Sequence, residues 1–138
     1  MSHTIKTSWI DGMAFETDIS GHKLTVDAAE TFGGQNRGPL PKPLLLNALS
    51  GCTAMDVMSI LGKMQVEIDA FDIEVEGQLA DEHPKVYTKV HVIYSFKGDN
   101  LPLKKLEKAV KLSQEKYCGV IAMVKQAAEV TYEIKVIE

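Results

Sequence analysis

Two residues in this chain carry chemistry that their surroundings could tune, the cysteines Cys52 and Cys118, 66 positions apart. The first sits in Leu49–Leu61, LSGCTAMDVMSIL, with Asp56 four residues after it and Ser50, Gly51, Thr53 and Ala54 packed close in sequence. Free cysteine on an apolar helix most often serves as a small hydrophobe. Three features point instead to a redox pair. The neighbours one helical turn away include Ala48, Asp56 and Ser59. The small flanking residues leave room for another molecule at the sulfur. The second cysteine falls at a helix break, where Tyr117 ends one helix and Gly119 begins another. A thiol at a helix N-terminus has its thiolate favoured by the aligned N–H dipoles. The four histidines, His3, His22, His83 and His91, are scattered, and no group shows zinc-ligand spacing, so no metal site is expected.

The elements that must position these thiols can be read from patterning. Strand-like runs cover Thr4–Ile10, Met13–Ile19 and Lys23–Val26, with Asp11-Gly12 and Ser20-Gly21 as hairpin turns. A loop rich in glycine and proline, Thr31–Pro43, holds Arg37, the only arginine. A long helix then runs from about Lys42 to Gln65. Its apolar residues cover most of the circumference, which predicts burial on most sides, by sheet and by a second subunit. Phe71–Glu76 alternates strictly and reads as a strand, as does Val86–Phe96 with Val86, Val90, Val92, Tyr94 and Phe96 on one face. Asp99 or Asn100 caps a further helix whose inner stripe is Leu106, Ala109, Val110, Ser113 and Tyr117. Its Lys104, Lys105, Lys108 and Lys111 form a solvated face. A short helix to about Ala127 and a strand over Val130–Ile137 complete a βββ-α-ββ-αα-β order, an α+β class chain read as one domain over residues 1–138.

Composition narrows the function. A 138-residue chain can bury a sizeable core without disulfides. A net charge of −4 argues against a broad nucleic-acid surface. The opening residues, MSHTIKTSWIDG, lack an apolar stretch of the secretory kind. The apolar run Leu44–Met64 is interrupted by Asn47, Ser50, Asp56, Ser59 and Lys63, too polar for a membrane span. A cytoplasmic location with no membrane partner is expected, and there a thiol stays reduced unless its chemistry is redox.

Asn47–Met64, NALSGCTAMDVMSILGKM, resembles the first-cysteine helix of the OsmC-like proteins, the family of osmotically induced protein C and the organic hydroperoxide resistance proteins. Ser113–Ile134, SQEKYCGVIAMVKQAAEVTYEI, resembles the second-cysteine segment of its YhfA-like branch, and Ser8–Ala28 and Phe71–Gly98 resemble that branch's strands. The resemblance implies an OsmC-like fold, an intertwined homodimer with two long central helices wrapped by sheets. It also implies thiol-dependent reduction of organic hydroperoxides in oxidative-stress defence. On that pattern Cys52 is the peroxidatic thiolate, which becomes a sulfenic acid, and Cys118 resolves it to a disulfide. No cofactor is bound. A dithiol carried by a reductant protein, a lipoyl group in the family's hydroperoxide reductases, restores the thiols.

The family's peroxidase branches activate the first cysteine with an arginine and a glutamate. Here the glutamate's position is Lys42, and the hairpin Ile10-Asp11-Gly12 lacks the arginine. Arg37, Lys42 and Asp56 are therefore the candidates for tuning the thiol. Lys42 lies about 15 Å along the helix from Cys52, so it would act on the partner's sulfur. Arg37 would fold back from its loop, or else anchor that loop in a salt bridge. Asp56 would oppose a thiolate if charged and close, or else satisfy hydroxyl groups. Leu45, Leu49, Met55 and Met58, with residues of the partner, would line a pocket for the alkyl tail of a hydroperoxide or another small electrophile. The alternative is a non-catalytic member of the fold, redox-sensing or binding a small ligand, that lacks the activating pair.

Overall fold

Ser20 and Gly21 both adopt positive φ, 50° and 77°, as a two-residue hairpin turn demands. In the computed structural model, which describes residues 1–137, that turn joins the second and third strands of a three-stranded antiparallel sheet. The strands are β1 (Lys6–Asp11), β2 (Ala14–Ile19) and β3 (His22–Val26). They belong to one of two compact units, Met1–Leu45, the other beginning at Leu46.

The loop after β3 is organised by a residue that the patterning did not single out. Asp27 is buried, and its carboxylate accepts backbone N–H groups from Ala28 (2.8 Å), Gln35 (3.0 Å) and Arg37 (3.3 Å). These bonds, chiefly the one from Gln35, hold its pKa below the usual carboxylate value of 3.8. The backbone passes so close that a Cβ on Gly34 would overlap the Ala28 carbonyl, and one on Gly38 the Thr25 carbonyl. Glycine is required there by space.

Helix α1, Pro43–Lys63, lies in the second unit from Leu46 onward and forms part of its core. Pro43 suits the first helical position, where its missing N–H costs nothing. Within one chain only the stripe Leu49, Thr53, Val57 and Leu61, spaced by four, is fully buried. The expectation of burial on most sides is not met by a single chain: Met55 is 74% exposed, Met58 48% and Leu45 47%. An 18-residue window of α1 reaches a mean hydropathy of 1.5. Its length and composition thus meet the requirement for crossing a membrane, while its buried stripe packs in the protein core.

That stripe packs with β5 (Tyr87–Lys97) of a second sheet, ordered β4-β5-β6. β4 (Ala70–Leu79) pairs antiparallel with β5, and β6 (Glu129–Ile137) pairs parallel with it. Alternation decides which face of β5 is buried: Val90, Val92, Tyr94 and Phe96 point inward. Val86 precedes the strand and is exposed. The Phe71 and Phe96 rings stack across β4 and β5 with centroids 4.5 Å apart.

Helix α2 (Leu103–Leu112) packs Leu106, Ala109 and Val110 into the same core. Its start differs from expectation. Asn100 takes a positive φ of 50° in the preceding turn, and extended Pro102 occupies the cap position with no side-chain bond. The helix then widens over Ser113–Tyr117 into a π turn, closed by the Cys118 N–H to the Ser113 carbonyl at 2.9 Å. The extra residue in this turn rotates the side chains along it. Gln114 turns inward, and Tyr117, expected on the inner stripe, is 53% exposed. A short helix α3 (Gly119–Val124) begins directly after Cys118.

Candidate functional site

Cys52 and Asp56 share a face of α1 because residues four apart stand one above the other on a helix. The π turn brings Cys118 to the same place. One ligating atom from each of Cys52, Asp56 and Cys118 lies within 4.8 Å of the other two. Both cysteines are free thiols, Cys118 buried and Cys52 half-buried. Two sulfurs far apart in sequence thus converge beside a carboxylate, and so do three groups capable of holding a metal, which sequence spacing did not reveal.

A hydrogen-bonded chain runs from the core to that carboxylate. The Gln114 side-chain amide donates to the Tyr94 hydroxyl (2.8 Å), and the Ser113 hydroxyl donates to Asp56 Oδ2 (3.0 Å). Between them, Thr53 Oγ1 lies 2.7 Å from both the Tyr94 and the Ser113 oxygens. Each hydroxyl has one proton. With Ser113's proton on Asp56, Thr53 donates to Ser113 and Tyr94 donates to Thr53. The order is Gln114 to Tyr94 to Thr53 to Ser113 to Asp56. Thr53, Ser113 and Gln114 are buried with Tyr94, so the three hydroxyls of the chain are paired away from water. Gln114 entered this network only through the π turn, and no sequence pattern announced it.

Cys118 corrects an expectation. Its Sγ does accept the Ile121 N–H at 3.4 Å, as a residue capping α3 should. That bond favours the thiolate, yet burial outweighs it, and the Cys52 sulfur beside it acts in the same direction as burial. The Cys118 pKa is pushed up from 9.0 to about 11. A helix of only six residues offers a weak dipole, and a cysteine only 3% exposed forfeits most of the hydration that would favour its charged form. Cys118 is therefore held as the neutral thiol at physiological pH.

The other candidates are placed differently. Arg37 is engaged in the N-terminal unit: its Nη2 lies 2.8 Å from Asp11 Oδ1 and donates to the Asp11 carbonyl at 3.1 Å, and its Nε lies 3.6 Å from Asp27. Lys42 immediately precedes α1, and its carbonyl accepts the Leu45 N–H. Leu49 is packed in the chain's own core and faces no open space. Leu45, Met55 and Met58 are exposed on α1.

Comparison with known proteins adds a lineage to this geometry. The family model described as OsmC-like protein matches residues 34–133. The chain is 29% identical over 133 residues to Protein YhfA of Escherichia coli strain K12, spanning 96% of each. It superposes on the crystal structure of a hypothetical protein from Aquifex aeolicus VF5 with a TM-score of 0.84 and 31% identity, covering 100% of this chain and 99% of that one. The organic hydroperoxide resistance protein OhrB of Bacillus subtilis shares the fold at a TM-score of 0.69 and 16% identity, with 98% of each chain covered.

Proposed function

The chain belongs to the OsmC-like protein family, and from that premise we propose that it is a two-cysteine reductase of organic hydroperoxides. The observation that carries this reading is the convergence of Cys52 and Cys118 within 4.8 Å. The fold shared with the hydroperoxide resistance protein OhrB agrees with it.

The asymmetry of the pair supports a division of roles. Cys52, the more accessible sulfur, attacks one oxygen of the peroxide as the thiolate. The O–O bond breaks, the alkoxide leaves and takes a proton from water as the alcohol, and Cys52 becomes a sulfenic acid. Cys118, kept protonated by burial, is not consumed in that step. It then attacks the sulfenic sulfur. Its proton leaves with the hydroxyl as water, and a disulfide forms. On this reading Asp56, close to both sulfurs and hydrogen-bonded by Ser113, carries that proton. A dithiol reduces the disulfide by exchange through a mixed disulfide. On this reading Arg37 anchors its loop through Asp11 and Asp27 and takes no part in activation.

The same reading includes a twofold homodimer in the cytoplasm. Covering the exposed Leu45, Met55 and Met58 with a second copy would complete the burial of α1 and give the alkyl tail of the substrate an apolar wall. The engagement of Arg37 favours a second reading, in which the thiols oxidise slowly and sense rather than clear peroxide. Steady-state consumption of cumene hydroperoxide with dihydrolipoamide as reductant separates the two. Multiple turnovers that vanish in Cys52→Ser support the reductase. Oxidation of the thiols without turnover supports the sensor.

A further inference from the structure

We propose that Cys52, Asp56 and Cys118 form a binding site for a single zinc ion, and that oxidation of the two thiols expels it. Two sulfurs and one carboxylate oxygen form a donor set suited to a borderline-soft divalent cation, and unsuited to magnesium or calcium, which require oxygen. In a tetrahedral zinc site, with Zn–S near 2.3 Å and Zn–O near 2.0 Å, ligand atoms stand roughly 3.5–3.8 Å apart. The three atoms here lie within 4.8 Å of one another, so closing on a metal requires shifts of about an ångström or less.

The ligands are oriented from outside, as metal ligands usually are. Asp56 receives the Ser113 hydroxyl on Oδ2, and Ser113 is fixed in turn by Thr53. Cys118 receives the Ile121 N–H on Sγ. Cys52 and Asp56 are both half-buried, which gives the ion a side from which to enter. Three protein ligands leave the fourth position to water, the arrangement of an open zinc site.

Zinc and the disulfide exclude each other, because the same two sulfur electron pairs serve both. The zinc-bound dithiolate, one hydroperoxide and two protons give the disulfide, one alcohol, one water and free zinc. The peroxide accepts the two electrons that the sulfurs lose, and zinc keeps its charge. Bound zinc would thus occupy both sulfurs until hydroperoxide oxidises them or a competing chelator takes the ion. The binding claim stands independently of turnover.

The test is titration of the reduced full-length protein with zinc chloride against a chromophoric chelator, with cobalt(II) as a spectroscopic substitute. One zinc per chain is expected, with thiolate charge-transfer and tetrahedral d–d bands for cobalt. Cys52→Ser and Cys118→Ser are each expected to weaken binding more than about a hundredfold, beyond the 10–100-fold typical of outer-layer changes. Asp56→Asn should weaken it about tenfold or more, Ser113→Ala less, and Asp72→Asn, exposed on β4, not at all. One equivalent of hydroperoxide should release the zinc to the chelator. Circular dichroism identifies any variant that fails to fold, and the remaining variants then decide. Absence of stoichiometric binding, or affinity that survives the cysteine substitutions and so belongs to histidines, would overturn the proposal. Peroxide oxidation of the metal-free protein is scored separately, so either reading can fail while the other holds.

Discussion

Replacing Thr53 with valine should cost several times what a near-isosteric change in an apolar part of the core costs. Thr53 is the middle of the hydroxyl chain, 2.7 Å from the oxygens of both Tyr94 and Ser113, and is fully buried. Valine keeps the shape and removes the oxygen. Two bonds worth about 1 kcal/mol each are lost, and the Tyr94 O–H is left buried without its acceptor, which adds about 1–2 kcal/mol. Some of this is offset by the more apolar side chain, giving roughly 2–4 kcal/mol in all. With the usual unfolding entropy per residue, a chain of 138 residues loses about 3–4 °C of melting temperature per kcal/mol, so a drop of about 7–14 °C is expected. Thr53→Ser is the control: it keeps the hydroxyl and loses one methyl, costing about 1 kcal/mol. Urea unfolding followed by far-ultraviolet circular dichroism, at one fixed protein concentration, measures both. A valine variant within about 0.5 kcal/mol of the parent, or no worse than the serine variant, would refute the directed chain from Gln114 to Asp56.

Asp27→Asn should destabilise the protein at neutral pH and flatten its acid limb. The folded-state pKa of Asp27 is depressed, so its contribution is present above the ordinary value of 3.8 and is lost as pH falls through the folded value; unfolding against pH in both proteins checks this. In Cys52→Ser, the remaining Cys118 should alkylate slowly with iodoacetamide at pH 8, and its rate should still be climbing well above the ordinary thiol value of 9.0, because burial is the largest cause of its shift. For the same reason the stabilising effect of neutral Cys118 should be intact below about 9 and be lost as pH rises towards 11. Met55→Arg places a charge on the most exposed apolar position of α1, and light scattering should show a shift from dimer to monomer. An unchanged assembly would remove that face from the proposed interface.

Legibility in the sequence differed sharply between parts of the molecule. The strands over Phe71–Glu76 and Val86–Phe96 were visible because period-two alternation results directly from burial of one face, as Phe71, Ile73, Val90 and Val92 show. The hairpin at Ser20-Gly21 was visible because few dipeptides tolerate two positive φ values. The helix bearing Cys52 was equally clear. Its all-round apolar surface, however, described more burial than one chain supplies, since only the stripe from Leu49 to Leu61 is fully buried. The π turn was invisible, because Ser113–Tyr117 continues an ordinary helical pattern and the extra residue is imposed by packing. With it were lost the inward turn of Gln114 and the hydrogen-bond chain it feeds. Position alone points the wrong way for Cys118: the helix end argues for a thiolate, while burial, which only the fold reveals, argues more strongly for the thiol. Asp27 looked like one acid among many, and its role rests on backbone N–H groups eight and ten residues away.

The two-cysteine reductase is tested most simply by intact-mass spectrometry of the reduced protein after one equivalent of an organic hydroperoxide, with Cys52→Ser and Cys118→Ser measured alongside. A peroxidatic and resolving pair requires loss of two hydrogens in the parent, addition of one oxygen in Cys118→Ser, and no rapid change in Cys52→Ser. Unmodified parent protein after hours, or oxidation first at Cys118, would contradict it.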